Sequence, residues 1–257
     1  IFAIVNNFLI NHKSILYIAR NDKEIFDIET KFKWLLPKTE VLIYRSWDQI
    51  PYDNVSPSRE IQSERIKTLY LLLNKKNKKI IITSVNAVLQ KTINKNFLKK
   101  NLIEIFVNQK INFNDFIFKI SSLGYQRTSV VRDKTEFAIR GSIIDIFIVG
   151  YDKPIRIDFF DNIIESIYYF DCVNQKRLEK IKNTRFFIHT SSELLLSEDN
   201  INLFRKNFRK IFIDYRLSQI YNSFSESTVP PGGEQFLPLF NDNMESLFLF
   251  LKDTKIL

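Results

Sequence analysis

The first hundred positions of the chain alternate between short, mostly apolar runs and longer segments with apolar residues at helical spacing. The runs at residues 14–18, 41–44 and 79–84 predict strands that are buried on both faces. Residues 1–10 and 22–36 carry the helical spacing and predict helices. Buried strands separated by helices are typical of a parallel sheet, so residues 1–97 predict an α/β domain.

The pattern changes near residue 98. A strand at 102–107 and a helix at 114–123, ended by Gly124, come first. Four strand-like runs follow as two pairs: 137–140 with 142–148 around Gly141, and 155–160 with 163–170 around Asp161-Asn162. Asp-Asn between two alternating runs is a signal for a tight hairpin. Residues 98–187 therefore predict a small α+β domain with a mainly antiparallel sheet.

The last part of the chain, residues 188–257, returns to helical spacing. Its apolar positions predict a helix at 193–212. Short strands or loops are expected after this helix, around the Pro-Pro-Gly-Gly sequence at 230–233.

One stretch, WDQIPYDNVSPSREIQSERIKTLYLL at residues 47–72, joins a turn-rich loop to an amphipathic helix. Pro51 and Pro57 hold the loop extended. Ser58 is a candidate N-cap, with acidic Glu60 in the first helical turn. On spacing alone, this stretch is either an ordinary structured loop or a functional signature.

The sequence lacks the residue sets that nucleotide or metal chemistry requires. None of its five glycines begins a GxxxxGK[ST] phosphate loop, although such a loop would precede the first predicted helix. The third predicted strand lacks the acidic pair that would hold Mg²⁺. His12, His189 and Cys172 make neither a zinc set nor an activated thiolate, and Asp158 and Asp161 fit hairpin positions better than a catalytic pair. We therefore predict no catalytic activity, metal or cofactor for this chain.

The charge and the cysteine content restrict the cellular compartment and the kinds of partner that are expected for this chain. Lys+Arg 38 against Asp+Glu 29 gives a formal net charge of +9, and the excess is gathered at residues 75–79, 91–110 and 176–185. These basic stretches are either solvated surface or contacts to nucleic-acid phosphates. The single cysteine excludes an internal disulfide and predicts a cytoplasmic protein, and no run of about eighteen apolar residues predicts a membrane span.

The strand at 155–160 predicts a recognition surface. Because side chains alternate along a strand, Ile155, Ile157 and Phe159 share one face, which is expected to be the core face. Arg156 and Phe160 then point outward together, and Arg140 could join them from the neighbouring strand. Exposed Arg beside exposed Phe is typical of a protein interface. The alternative is an internal pair of Arg140 or Arg156 with an Asp, with Phe160 under a loop.

Five segments resemble, in order, landmarks of one protein family. The 47–72 stretch resembles the signature of the N-terminal module of bacterial transcription-repair coupling factors (Mfd), in which a YD…SPS…EI…S.R…L string follows a strand. Four further segments resemble that module: IIITSVNAVLQ (80–90), LGYQRTSVVRDKTEFAIRGSIIDIF (123–147), IRIDFFDNIIESIYYFDCVNQKR (155–177) and PGGEQFLPLF (231–240).

The resemblance implies a UvrB-like fold and a recruitment role. The fold would be a degenerate RecA/helicase-like parallel-sheet domain, residues 1–97 and 188–257, interrupted by an inserted domain at 98–187. The inserted domain would bind UvrA, the damage-recognition ATPase of nucleotide excision repair, through Arg140, Arg156 and Phe160. In the family, other domains of the parent protein bind RNA polymerase and drive an ATP-dependent translocase along double-stranded DNA.

Two other classes of protein stay open. UvrB shares the split architecture but has an intact phosphate loop and a long DNA-clamping hairpin. Here residues 52–58 pass directly into the helix at Glu60, which leaves no room for that hairpin. A DNA-binding domain that uses the Lys-rich loops is the remaining alternative.

Overall fold

The computed structural model describes residues 1–11, 13–73, 77–182 and 184–257, so His12 and part of the basic stretch 75–79 lie outside the described residues. In chain order, the helices and strands are α1 (Phe2–Ile10), β1 (Ser14–Ala19), α2 (Asp22–Leu35), β2 (Val41–Tyr44), α3 (Arg59–Leu73), β3 (Ile80–Ser84), α4 (Val85–Leu89), α5 (Lys95–Lys100), β4 (Leu102–Ile105), α6 (Phe113–Ser122), β5 (Gln126–Arg127), β6 (Glu136–Arg140), β7 (Ile143–Ile146), β8 (Ile155–Phe160), β9 (Ile163–Phe170), β10 (Arg177–Ile181), β11 (Phe186–His189), α7 (Glu198–Ile211), α8 (Gln219–Ser225), α9 (Leu247–Phe250) and β12 (Thr254–Ile256). Two 3-10 helices, Tyr215–Leu217 and Gly233–Phe240, flank α8.

A parallel sheet with the strand order β12-β1-β3-β2 lies between two helical layers. Helices α1 and α2 cover one face, where Phe8 and Phe32 pack in a shared core. Helix α3 covers the other face, and its Leu69 lies in the same core as Ile81 of β3. The predicted α/β sheet is confirmed. Strand β12 was not predicted; it adds an outer strand beside β1.

The second sheet has the order β10-β9-β8-β7-β6-β5, and its neighbouring pairs are antiparallel except for β5 with β6. Helix α6 packs on one face through Phe116 and Ile120. Asp161 and Gly141, at the two predicted turns, have φ angles of 55° and 62°, which the tight hairpins require. The predicted small α+β unit, with a mixed and mostly antiparallel sheet, is confirmed. The boundaries at 97/98 and 187/188 stay predictions.

The part of the chain after β11 differs from its prediction. Helix α7 begins at Glu198 rather than near residue 193, because the Ser197 side chain caps it by accepting a hydrogen bond from the Asn200 N–H. The Pro-Pro-Gly-Gly turn leads into a 3-10 helix, Gly233–Phe240, and not into strands or loops. Phe240 stacks on Phe204 of α7 with ring centroids 4.6 Å apart. Aromatic packing against α7 thus shapes a segment whose sequence contains no periodic signal.

A buried ion pair joins the parallel-sheet domain to the segment that leaves β11. Arg65 of α3 donates to Glu193 Oε1 at 2.5 Å, and both side chains are 1% exposed. The Arg65 guanidinium also donates to the Arg45 carbonyl at 2.7 Å and lies 4.3 Å from the centre of the Tyr44 ring. Further hydrogen bonds to the pair involve Gln90, Thr92 and Trp47.

Removing one partner of this pair should destabilise the fold strongly. Arg65→Met leaves Glu193 buried without its cation, so we expect the free energy of unfolding to fall by about 3–5 kcal/mol. The double variant Arg65→Met, Glu193→Met should recover part of that loss. Urea unfolding measures both values. Lys31→Met, at the exposed Lys31–Asp27 pair, is the matched control and should change the value by less than about 1 kcal/mol. A small effect of Arg65→Met would contradict a dominant role for the pair.

His189 is buried and packs against helix α3. It ends β11 and lies against Tyr70 of α3, with ring centroids 3.9 Å apart. Burial lowers the pKa of His189 to about 3. The folded protein therefore holds this imidazole neutral at pH values where the unfolded chain is protonated.

This burial predicts a specific loss of stability in acid. The unfolded-state pKa of His is about 6.5, so the contribution of His189 is complete above that pH and is lost as pH falls toward 3. The slope is at most about 1.4 kcal/mol per pH unit. We expect the His189→Phe variant to gain stability relative to the wild type between pH 6 and 4, measured by urea unfolding at each pH. If the free energies of unfolding of the two proteins changed with pH in the same way, this contribution of His189 would be ruled out.

Candidate functional site

The outer face of the second sheet, opposite α6, carries the three residues that the sequence analysis selected. Register places Asp145 of β7 directly beside Arg156 of β8. In the next row on the same face, Ile143 of β7 lies between Arg140 of β6 and Asp158 of β8. Phe160 lies at the hairpin end of β8, four residues beyond Arg156, which corresponds to roughly 13 Å of strand.

Arg156 is buried and internally paired, so the prediction that it points outward into solvent is wrong. Its guanidinium makes two bonds to the Asp145 carboxylate, at 2.6 and 2.8 Å, and a third to the Gln175 carbonyl at 3.2 Å. The Arg156 side chain is 10% exposed and the Asp145 side chain is fully buried. These bonds to Asp145 raise the pKa of the Arg156 guanidinium above its usual range.

Loops that follow other strands explain the burial. Strand alternation correctly puts Arg156 on the face opposite the aliphatic core. That face is covered locally by the loop after β9, because the Gln175 amide donates to the carbonyls of Val131 and Cys172. The Phe170 ring lies 5.0 Å from the Arg156 guanidinium. A strand pattern cannot reveal such a cover, since the covering residues come from distant positions.

Arg140 and Phe160 do face solvent. Arg140 donates to the Gln175 side-chain oxygen at 3.1 Å, and its Nε lies 3.9 Å from Asp145 Oδ2, with the side chain 41% exposed. Phe160 is 72% exposed, and Ile163, its partner across the hairpin, is 42% exposed. An irregularity in register between Asp158 and Phe159 precedes this end of the strand, where Phe159 packs inward and Phe160 does not.

The structure places two further side chains on this face, Arg177 and Tyr168, that were not predicted from the sequence. Arg177 donates to Asp158 Oδ1 at 3.0 Å, and its guanidinium lies 4.8 Å from the centre of the Tyr168 ring. Tyr168 pairs in register with Arg156, so alternation along 163–170 could have found it. We call the exposed set Arg140, Phe160, Ile163 and Arg177 the outer-face patch.

The other residues considered for catalysis or metal binding do not come together in the part of the chain that the structure describes. Among residues 1–11, 13–73, 77–182 and 184–257, no group of three or more His, Cys, Asp or Glu side chains is placed to hold a metal ion. Burial raises the pKa of the Cys172 thiol, which favours the unreactive protonated form. Within the same described ranges, no helix is long and apolar enough to cross a membrane.

Several side chains of the basic stretches are engaged in contacts within the chain. Arg185 pairs with Glu104 at 2.6 Å, and Lys95 donates to the Leu249 carbonyl at 2.5 Å. Lys91, Lys99 and Lys100 are exposed. The basic stretches thus combine internal pairs with solvated lysines.

Residues 103–191, from β4 to just beyond β11, match the family model of the UvrB interaction domain. The chain therefore contains a UvrB interaction domain set into a parallel α/β domain. The chain is 30% identical over 220 residues to the transcription-repair-coupling factor of Haemophilus influenzae, covering 85% of this chain and 19% of that protein. It is 28% identical over 258 residues to that of Rickettsia bellii, covering 100% of this chain and 23% of that protein. It is 30% identical over 219 residues to that of Escherichia coli K12, covering 84% of this chain and 19% of that protein.

Over most of its length, the chain is a homologue of transcription-repair coupling factors. It spans about a fifth of the length of these relatives.

Because Arg156 is buried and Arg140 is half exposed, their removal should change the free energy of unfolding by different amounts. Arg156→Ala leaves Asp145 buried without its cation, so we expect the free energy of unfolding to fall by about 3–5 kcal/mol. Arg140→Ala and Phe160→Ala remove exposed side chains and should each change it by less than about 1 kcal/mol. Urea unfolding of the three variants tests this order. Equal losses for Arg140→Ala and Arg156→Ala would contradict the assignment of Arg156 as the buried partner.

Proposed function

We propose that this chain is a non-catalytic recruitment module that binds UvrA through the outer face of its UvrB interaction domain. The observation that carries the proposal is an exposed aromatic side chain, Phe160, on a face that also presents the Arg140 guanidinium. Aromatic residues and arginines are enriched among the residues that dominate binding energy at protein interfaces. The homology to transcription-repair coupling factors supports UvrA as the partner, as the family resemblance implies.

The proposal gives the three selected residues different roles. Phe160 is the anchor, because an exposed ring can bury most of its surface in a partner. Arg140 offers the free part of its guanidinium to a carboxylate on the partner. Arg156 acts indirectly: with Asp145 it fixes the position of Gln175, which in turn holds Arg140.

We further propose that residues 1–97 and 188–257 form one degenerate motor-like domain around the insertion at 98–187. Strand β12 supports this division, because residues 254–256 pair with β1. In the whole protein, this cytoplasmic module would act beside an ATP-driven double-stranded DNA translocase that engages stalled RNA polymerase. The UvrB-like alternative is less well supported, because the 52–58 loop leads directly into α3 at Arg59 with no inserted hairpin.

Binding to UvrA of the same organism, at physiological salt, tests the proposal. We expect saturable binding by the wild type and at least a tenfold weaker Kd for Phe160→Ala, since loss of a central anchor costs about 1.4 kcal/mol or more. Arg140→Ala, at a half-exposed position, should weaken binding by a few fold. Both variants should retain the wild-type urea midpoint.

Two control variants make this result specific. Phe118→Ala removes an equally exposed ring, 74% accessible, from α6 on the opposite side of the sheet. Arg127→Ala removes an exposed arginine from β5. Both should bind UvrA like the wild type. If the wild type does not bind UvrA but binds a labelled DNA duplex, the Lys-rich alternative replaces this proposal.

A further inference from the structure

A polar cavity lies where the inserted domain meets the parallel-sheet domain. Its volume is about 370 Å³. The end of α6 contributes Ser121, the start of α3 contributes Gln62, and the segment after β11 contributes Ser191. Junctions between domains are common positions for ligand sites. The cavity is separate from the outer-face patch, which lies on the other side of the second sheet.

Glu234, in the first turn of the 3-10 helix, lines this cavity and is only 7% exposed. Its Oε2 is closed to water and has no hydrogen-bond partner in the part of the chain that the structure describes. Within those same residues, no Lys or Arg lies within ion-pair distance of this carboxylate. A cation bound in the cavity would therefore make a charge-assisted contact with this carboxylate that no Lys or Arg of the described residues supplies.

The single arginine in the cavity lining does not fill that role. Arg59 lies at the exposed edge, and its guanidinium donates to the Gln126 side-chain oxygen at 3.1 Å. Gln62 is also engaged, because its amide donates to the Pro57 carbonyl and its oxygen accepts from the Ser192 hydroxyl. Neither Arg59 nor Gln62 therefore supplies the Glu234 carboxylate with a cation or a donor.

The lining selects the chemical class of the ligand. One carboxylate without a second acid is a poor site for a divalent cation, which requires several oxygen ligands of this kind. The hydroxyl oxygens of Ser121 and Ser191 can accept further hydrogen bonds. Leu194, Leu195 and Val229 supply an apolar wall. A carboxylate, hydroxyl acceptors and an apolar wall together match an alkyl chain that ends in a nitrogen cation.

We propose that this cavity binds an alkylguanidinium or alkylammonium group, with the cation on Glu234 and the alkyl chain against Leu194, Leu195 and Val229. Such a group occurs both in free small molecules and in the arginine and lysine side chains of proteins. The site goes beyond UvrA recruitment and does not depend on it, because none of its residues belongs to the outer-face patch.

Titration of the full chain with butylguanidinium and butylammonium, followed by the amide NMR signals of Gly124, Gln126 and Ser191, tests the proposal. Saturable shifts at these amides are expected. Butylurea, a neutral molecule of similar shape, should bind at least tenfold more weakly. A capped Gly-Arg-Gly peptide distinguishes the two sources: tighter binding than butylguanidinium indicates a protein side chain, and weaker binding indicates a small molecule.

Two variants of equal charge change complete the test. Glu234→Gln removes the carboxylate and should weaken cation binding at least tenfold, while the amide NMR spectrum of the variant remains that of a folded protein. Glu226→Gln removes an exposed charge at the end of α8 and should bind like the wild type. No saturable shift in the wild type, or equal binding by Glu234→Gln, would overturn the proposal. Binding that appears only in Arg59→Ala would also overturn it, because Arg59 would then be the natural occupant.

Discussion

The Arg65–Glu193 pair is the interaction on which the relation between the two sheets depends. Arg65 belongs to a helix that covers the parallel sheet. Glu193 comes four residues after the end of β11, which pairs antiparallel with β4 in a separate two-stranded sheet. Both charges are withdrawn from water, so each requires the other at one fixed position. Arg65 also bonds to the chain just after β2, at the Arg45 carbonyl. The pair therefore fixes where the inserted domain returns to the sheet.

A second buried pair plays the corresponding part inside the inserted domain. Arg156 and Asp145 bind across neighbouring strands, and Gln175 ties the covering loop to them. This arrangement orients Arg140, whose guanidinium remains half exposed beside the same glutamine. The arginines of the family-like motifs thus divide between internal support and surface presentation, although they look alike in the sequence.

Two motifs that lie far apart in the chain depend on each other. The Gln49 amide donates to the Gly232 carbonyl at 2.9 Å, and the Gln235 side-chain oxygen accepts from the Tyr52 N–H at 3.0 Å. Gly232 has a φ of 74°, and a Cβ on it would lie 2.3 Å from the Asp53 carbonyl oxygen. The glycine is therefore required by close contact with the loop, and this contact places Glu234 two residues further on.

The sequence by itself determined the elements whose signal is local. The buried apolar runs predicted strands β1 to β3, and the Asp161-Asn162 turn predicted the β8–β9 hairpin. The ordered motifs identified the family. Each of these signals depends only on residues that are neighbours in the sequence. Tertiary structure decided the solvent exposure of Arg156, the 3-10 helix at Gly233–Phe240 and the cavity around Glu234. These features depend on contacts between residues tens to more than a hundred positions apart, such as Gln175 with Val131, Phe204 with Phe240 and Gln49 with Gly232. Periodicity reports which face of a strand or helix is apolar, but not what covers the other face.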